Sequence, residues 1–330
     1  MAQLDDIKAP VRAQMERFDK MLSEAVKSDY DYLKPITNLI LKPLGKKIRP
    51  LLTLLTAALH DGINDKTYAA ALLAEMIHWS TLIHDDVVDE AYQRRGEWTP
   101  VALLRSRSAV LVGDYLFSKG LAVAARADNM QAIKSFTNCI ERIVEGELSQ
   151  TEHARKTDTT LEDYSKIINM KTASLIASAA ECGAYSAGAD QAQTAAMYRF
   201  GELLGMAFQI KDDLLDFGEK DQQLTDNSTG KVLGNDLKER KMTLPLIYAV
   251  ANIPLKARFK VMKHLREAAY SPESVEWLRQ FVFDSEGIRY AESVMDTYYK
   301  EAMDTLEAYP ESEIRNALHL FGEFITARKK

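Results

Sequence analysis

Apolar residues recur at spacings of three and four along nearly the whole 330-residue chain, and no stretch shows the sustained alternation of a half-buried strand. That periodicity commits the chain to long helices, each with an apolar stripe to bury against another. Gly and Pro, the residues that interrupt helices, number only 15 and 9, below average usages of roughly 7% and 5%. The prolines fall at element edges. Thr99-Pro100 reads as an N-cap followed by proline at the first helical position, and Ser271-Pro272-Glu273 repeats the pattern. Pro254 and Pro310 separate helical stretches near the C-terminus. The spacing predicts helices over 5–27, 30–42, 48–60, 65–90, 100–125, 129–153, 161–187, 191–217, 236–252, 256–269, 273–285, 288–307 and 312–328. No Gly/Ser linker, low-complexity tract or internal repeat divides them, so the expected architecture is all-α, a single-domain helical bundle over 1–330.

The charge pattern narrows the partners. A net charge of −6, spread along the chain, argues against nucleic acid and leaves small molecules, or metals where acids cluster. Two cysteines, Cys139 and Cys182, are too few for a disulfide framework or a zinc site, and read as reduced core thiols in a reducing compartment. The opening MAQLDDIKAP has neither the basic nor the apolar region of a secretory signal. No apolar run approaches the roughly 20 residues of a spanning helix. The expectation is a soluble, cytoplasmic protein.

The longest polar interruption runs over 218–235 and includes Lys231. A loop of that length inside a helical domain is either a functional lid or a surface connector, and its composition does not choose between them.

Two acidic clusters stand out. The first is His84-Asp85-Asp86-Val87-Val88-Asp89-Glu90, at the end of the predicted 65–90 helix. Asp85 and Asp89 lie one turn apart on one face, where like charges oppose each other. They also sit near a helix C-terminus, where the macrodipole disfavours negative charge. Something cationic should neutralise them, and Mg²⁺ suits an all-oxygen site because it takes one or two carboxylates together with substrate phosphates. The second cluster, Lys211-Asp212-Asp213-Leu214-Leu215-Asp216, repeats the D-D-x-x-D spacing at the end of the 191–217 helix. Either cluster alone reads more readily as a solvated acidic helix end. Two copies, each closing a long apolar helix, can face one cavity of a bundle and receive a diphosphate through metal ions.

A diphosphate also needs protein cations. Arg94-Arg95-Gly96 follows the first cluster, and Gly45-Lys46-Lys47-Ile48-Arg49-Pro50 leads into a helix N-terminus, which attracts phosphate. Lys231 lies in the 218–235 segment and Lys241 just beyond it. Any one of these is also an ordinary surface charge.

With these pieces in view, the chain resembles the trans-prenyl diphosphate synthases (polyprenyl synthetases) of the long-chain type, over essentially its whole length. The matching segments are GKKIRP at 45–50, LIHDDVVDEAYQRRGEWT at 82–99, GEL at 146–148, KTASL at 171–175, FQIKDDLLDF at 208–217 and GKVLGNDLKERKMTLP at 230–245. The resemblance implies the class I isoprenoid synthase fold with a central substrate cavity. It implies that Asp85, Asp89 and Asp212 are the main ligands of about three Mg²⁺ ions, with Asp86, Asp213 and Asp216 in supporting positions. Arg94, Lys171, Lys231 and Lys241 would contact the allylic diphosphate. Lys46, Arg49, His78 and Arg95 match the isopentenyl diphosphate site, and Thr172 and Gln209 fall near the reacting carbons.

The implied reaction ionises an allylic diphosphate, farnesyl diphosphate being the expected primer. The double bond of isopentenyl diphosphate then attacks the cation, and the departed diphosphate takes up the proton that is lost. The family is generally homodimeric, some long-chain members need a second subunit, and the product leaves towards a membrane, so a transient membrane contact is expected. The basic end Ala327-Arg328-Lys329-Lys330 reads as a solvated tail.

Product length is read from the residues below the first motif. Four and five positions before Asp85 stand Thr81 and Ser80, both small, followed one turn of about 5.4 Å further down by Ile77 and then Ala74 and Leu73. Small residues at successive turns open a deep tunnel and point to a long product, octaprenyl (C40) first, of the kind that forms quinone side chains. Phe136, Ile140 and Ile143 are candidates for its floor. A geranylgeranyl or other shorter-chain synthase is the alternative. A class I terpene cyclase is more distant, because Asp212, Asp213 and Asp216 are all present alongside Lys46, Arg49 and Arg95. A non-catalytic regulatory subunit would be expected to lack some of these residues.

Overall fold

The computed structural model describes residues 3–28, 30, 34, 46–60, 62–94, 97–219, 225–226 and 231–327, and gives the backbone alone for Arg94, Glu97, Thr225, Asp226, Lys231 and Val232. The helix expected over 30–42, Gly45, Arg95, most of the 218–235 loop and the basic end 328–330 lie outside the described residues. The helices are α1 (Leu4–Lys8), α2 (Arg12–Ala25), α3 (Ile48–Ala58), α4 (Asp65–Val88), α5 (Pro100–Arg126), α6 (Met130–Lys156), α7 (Leu161–Ile168), α8 (Ser174–Ser186), α9 (Gln191–Phe217), α10 (Asn235–Lys238), α11 (Leu244–Ala251), α12 (Leu255–Glu267), α13 (Pro272–Asp284), α14 (Gly287–Leu306) and α15 (Glu313–Thr326). The extended segments among the described residues are two antiparallel ribbons of two-residue strands, Gln93–Arg94 with Glu97–Trp98 and Thr225–Asp226 with Lys231–Val232. The all-α expectation holds.

Side-chain caps start the long helices where the sequence offers them. Thr99 accepts from the Ala102 N–H ahead of Pro100, and Ser271 accepts from Ser274 ahead of Pro272. Asn64 with Thr67, Thr160 with Asp163 and Asp190 with Gln193 form reciprocal capping boxes at the starts of α4, α7 and α9. Three predicted helices are divided. The 5–27 stretch is broken by a 3₁₀ turn at Ala9–Val11, the 161–187 stretch by a π turn at Asn169–Ala173, and the 236–252 stretch splits into α10 and α11.

The π turn has a packing cause. A Cβ on Gly205 of α9 would lie 2.5 Å from the Ala173 Cα, and one on Gly146 of α6 would lie 3.0 Å from the Lys171 N. Glycine at both positions lets the two helices close on the turn from either side. The turn carries Lys171 and Thr172, and such bulges recur at functional sites.

α4 packs along α3, α5 and α8, while α9 packs between α8 and α14, so α8 stands between the two helices that end in Asp clusters. Three apolar clusters fill the bundle. One joins α1–α5 to α8, α9, α14 and α15; a second joins α7 and the C-terminal half of α9 to α10–α14. The third lies between α4, α5, α6 and α8, with Leu73, Ala74, Ile77, Phe136, Ile143 and Leu175 among its members. At about 1.5–3 kcal/mol for each fully buried Leu or Phe, these clusters dominate the stability of the bundle. Cys139 and Cys182 are unbridged and buried in the third cluster, where burial pushes the Cys139 thiol up to about 11 and the Cys182 thiol higher still.

By length and composition alone α5 is apolar enough to span a membrane, a test that core helices of soluble proteins also pass, and it is kinked at Arg105 (φ +65°). Part of its apolar surface is core, through Val101, Ala109, Val112, Leu116 and Ala124, and part is exposed, through Leu103, Val110 and Leu111. The periodicity that makes α5 amphipathic at one face is thus overlaid by a second apolar stripe.

Candidate active site

The first Asp cluster leaves α4 within its last turn. Asp89 is the C-cap, its N–H bonded to the Asp85 carbonyl at 2.8 Å, and it is exposed while Asp86 is buried. Glu90 takes φ +50° and turns the chain back, so the Ala91 N–H reaches the Asp86 carbonyl at 2.9 Å. The returning segment forms the Arg94 ribbon and is pinned where the Thr99 hydroxyl donates to the Ala91 carbonyl at 2.7 Å. Arg94 is thereby placed on a short ribbon beside the end of α4. Arg95 lies outside the described residues.

The second cluster is held differently. Asp213 is buried, and both of its oxygens accept protein hydrogen bonds, from the Tyr164 hydroxyl at 2.6 Å and from the Gln209 amide at 2.8 Å. Burial pushes its carboxyl up to about 7, against the pull of those two donors. Asp216 accepts from the Asn235 and Asp236 N–H groups at 3.1 and 3.0 Å, and its own carbonyl accepts from Gly234 at 2.9 Å. It therefore ties α9 to the start of α10, at the base of the 218–235 segment. Burial, and then the charges of Asp213 and Asp216, hold the Asp236 carboxyl well above the usual carboxylate range.

The π turn brings the cations and the polar groups between these ends. Lys171 pairs with Glu147 at 2.6 Å, and its Nζ lies 3.4 Å from the Gln150 side-chain oxygen. Next to it, the Thr172 hydroxyl donates to the Gln209 side-chain carbonyl at 2.7 Å. Lys241 pairs with Glu239. Burial alone would lower its pKa, but Glu239 and Asp236 outweigh that and hold the ammonium above its ordinary value, with Asp89 adding to them. The influence of Asp89 on a lysine that also feels Asp236 links the two helix ends electrostatically. The backbone of Lys231 lies in the second ribbon, one strand away from the same base.

A third group of cations stands at the start of α3. Lys47, at φ +50°, precedes the helix and pairs with Asp19 at 2.5 Å, and the Lys46 ammonium lies 4.5 Å over the Phe324 ring. Arg49 is buried nearby, as is Glu75 of α4. Burial pushes the Glu75 carboxyl up to about 7, while Arg49, Lys47 and a hydrogen bond with Trp79 pull it down.

One cavity of about 790 Å³ opens onto all three groups. Asp85, Asp86, Asp89, Asp212 and Asp213 line it, as do Lys46, Arg49, His78, Lys171, Thr172, Gln209 and Lys241. Thr81, Ile143 and Leu175 line it as well. Ser80 and Ile77 are buried outside the lining, and Ile77 belongs to the third apolar cluster, which Ile143 and Leu175 share with the cavity. Asp216 does not line it. Among the described residues no three acidic, His or Cys side chains converge into a ready-made metal cage.

Sequence reasoning missed several lining residues. Glu147 and Asp236 sit inside segments already singled out, GEL and GKVLGNDLKERK, so the signal was present and unused. Glu75 was visible as an acid in the otherwise apolar body of α4. Nothing in the local pattern marks Tyr164.

Known proteins give the same picture. The polyprenyl synthetase family model matches residues 30–282. Heptaprenyl diphosphate synthase component 2 of Bacillus subtilis is 32% identical, over 94% of this chain and 87% of that one. The crystal structure of a decaprenyl diphosphate synthase from Rhodobacter capsulatus superposes with a TM-score of 0.92 at 30% identity, covering 98% of this chain and 99% of that one. A polyprenyl synthase from Caulobacter crescentus, crystallised with calcium and isoprenyl diphosphate, gives 0.90 at 30% identity, covering 100% and 99%. With family model, relatives and solved structures agreeing over the same length, the chain belongs to the polyprenyl synthetase family and is a trans-prenyl diphosphate synthase, a prenyltransferase.

Proposed function

We propose that this synthase condenses isopentenyl diphosphate with an allylic primer, farnesyl diphosphate in the first instance, and elongates it to a long-chain product, octaprenyl diphosphate. The observation behind the reading is the single cavity that both Asp-bearing helix ends share with Lys171, Lys241 and the Thr172–Gln209 pair. The finer assignment of length is supported by the small Thr81 in the lining and by Ile143 and Leu175, which the lining shares with the apolar cluster that holds Ile77, Ala74 and Leu73. All of 1–330 acts as one domain, since α9 contributes to two of the apolar clusters.

The donor set fits Mg²⁺. Asp85, Asp89 and Asp212 offer oxygen only, which suits an ion that takes one or two carboxylates and completes its shell with diphosphate oxygens and water. Asp86, Asp213 and Asp216 support them. When bound, about three Mg²⁺ ions supply positive charge to the leaving diphosphate. Lys171, Lys241, Arg94 and Lys231 grip that same diphosphate, and the Glu147 partner keeps Lys171 extended towards it. Lys46, Arg49, His78 and Arg95 hold isopentenyl diphosphate at the start of α3. Thr172 and Gln209 turn oxygen dipoles towards the carbon that becomes cationic, where fixed dipoles act without reorganising. The 218–235 segment, tied at its base through Asp216, keeps water from the cation.

The working form is a homodimer. Leu103, Val110 and Leu111 of α5 and Val144 and Leu148 of α6 are exposed, and a second copy of the same stripe is the occupant that covers them. Sedimentation of the purified protein reads this directly. Buried, reduced thiols at Cys139 and Cys182 and water-soluble substrates suit the cytoplasm.

Product analysis tests the reading. Purified protein is incubated with Mg²⁺, radiolabelled isopentenyl diphosphate and farnesyl diphosphate, and the dephosphorylated alcohols are separated by length. A dominant C35–C45 band is expected. A stop at C20 keeps the chemistry and removes the long-chain assignment, and no labelled prenyl product with any primer removes the condensation itself.

A further inference from the structure

Among the described residues, the Tyr164 hydroxyl reaches the second Asp cluster from a different helix, and neither the motifs nor the roles above account for it. It sits one turn into α7, behind the Thr160–Asp163 capping box, and it is buried. Its hydroxyl crosses to α9 and donates to Asp213 Oδ2 at 2.6 Å. The other oxygen, Asp213 Oδ1, accepts from Gln209 Nε2 at 2.8 Å, and Gln209 Oε1 accepts from the Thr172 hydroxyl at 2.7 Å. Four side chains from α7, α9 and the π turn thus form one chain of hydrogen bonds, and all four line the cavity.

A carboxamide is nearly symmetric in shape, and the choice between presenting its N–H₂ and its carbonyl is made by its partners. Thr172 cannot make that choice, because a hydroxyl donates or accepts equally well. Asp213 can, because it takes an N–H at Oδ1. With Oδ2 occupied by the phenol, Oδ1 is the oxygen left for Gln209, and the Gln209 carbonyl is turned to the Thr172 side.

We propose that Tyr164 is a positioning residue for the condensation: through Asp213 it fixes the Gln209 amide with its carbonyl oxygen beside Thr172, facing the carbon that ionises. The inference rests on the roles proposed for Gln209 and Thr172. A dipole that meets charge only in the transition state acts on kcat and leaves substrate binding nearly alone.

The test is a double-mutant cycle on the purified full-length enzyme, with Tyr164→Phe, Gln209→Ala and the pair, following kcat, both KM values and thermal stability. Tyr164→Phe is expected to lower kcat about 10- to 100-fold, the range for a hydrogen bond to a charged group. Both KM values should stay within about twofold, and in the Gln209→Ala background the same change should cost less than about twofold, because the two residues act as one unit. Replacing Tyr164 with 4-aminophenylalanine, which keeps a donor at the same point of the ring, should recover most of the loss. Independent effects of the two substitutions, a loss confined to KM, or no rescue by the amino group where phenylalanine is impaired would each overturn the proposal. Failure of the wild-type enzyme to make any prenyl product would instead remove the proposed function on which it stands.

Discussion

The two Asp clusters share one spacing and are used in different ways. At the end of α4, Asp85 and Asp89 line the cavity within the last helical turn, and Asp89 is exposed. At the end of α9, Asp212 takes the place of Asp85, but the residue equivalent to Asp89 is Asp216, which accepts two backbone N–H groups from Asn235 and Asp236 and lies off the cavity. Helical periodicity puts each pair of acids on one face. It says nothing about which of them the rest of the chain will engage. On the proposed assignment the first cluster would hold ions between protein and substrate, whereas the second engages the Gln209 amide through Asp213 and the base of the 218–235 segment through Asp216.

The largest effects test that division. Asp85→Ala and Asp212→Ala should each lower turnover about 1000-fold or more, as loss of charge stabilisation at the leaving group does, with little change in thermal stability. Near-normal turnover in either variant would remove the metal assignment. Asp89→Ala and Asp216→Ala sharpen the contrast, since the D-D-x-x-D spacing alone makes them equivalent. Asp89→Ala should cost activity and not stability. Asp216→Ala should cost both, destabilising by about 1.5–3 kcal/mol for lost bonds to a charged acceptor, measured by urea unfolding without ligands. Equal stability of the two variants would show that the Asp216 bonds do not hold the loop base.

Much of this arrangement was legible beforehand. The helix limits, the caps at Thr99 and Ser271 and the two Asp clusters all depend on near neighbours in the chain, which a single sequence displays. What escaped depends on distant approach. The π turn at Asn169–Ala173 arises where Gly146 and Gly205 let two helices close on it, and the partners of Asp216 are 19 and 20 residues further along. The burial of Tyr164 and Glu75 is likewise a property of packing, not of local pattern. The roles of Lys171, Thr172 and Gln209 came through resemblance, and their contacts with Glu147 and with each other give those roles a geometry.

The comparison extends one turn below each cluster. Thr81 stands four residues before Asp85 and Phe208 four before Asp212, and both line the cavity. The residue four before the first acid is thus small on α4 and aromatic on α9, although Trp79 and Leu82 of α4 also line the cavity, and the growing chain is expected to pass Thr81 towards the third apolar cluster. Thr81→Phe is expected to shorten the product to C15–C20, and Ser80→Phe to shorten it less, because Ser80 is buried beside the lining and not in it. Phe208→Ala should leave the length within one isoprene unit. Chromatography of the dephosphorylated alcohols reads all three, and a longer product from Phe208→Ala would move the tunnel to the α9 side.

A last contrast concerns a buried acid on each of these helices that is pushed up to about 7, Glu75 on α4 and Asp213 on α9. Asp213 is wrapped by neutral donors, while Glu75 faces Arg49 and Lys47 as well as Trp79. Burial still dominates for Glu75, so its folded-state pKa lies above the ordinary 4.5, and the folded protein binds its proton more tightly than the unfolded chain does. The stability this contributes is complete below about pH 4.5 and is lost as pH rises to about 7, on the order of 3 kcal/mol at most. Glu75→Gln removes that dependence. The variant should therefore gain stability relative to wild type between pH 5 and 7.5 in ligand-free urea unfolding. If Arg49 and Lys47 instead dominated, Glu75 would act as an ion-pair partner, and the variant would lose stability over that interval. The sign of the change alone decides whether the acid on α4 is chiefly a buried carboxyl or the counter-charge of the cations at the start of α3.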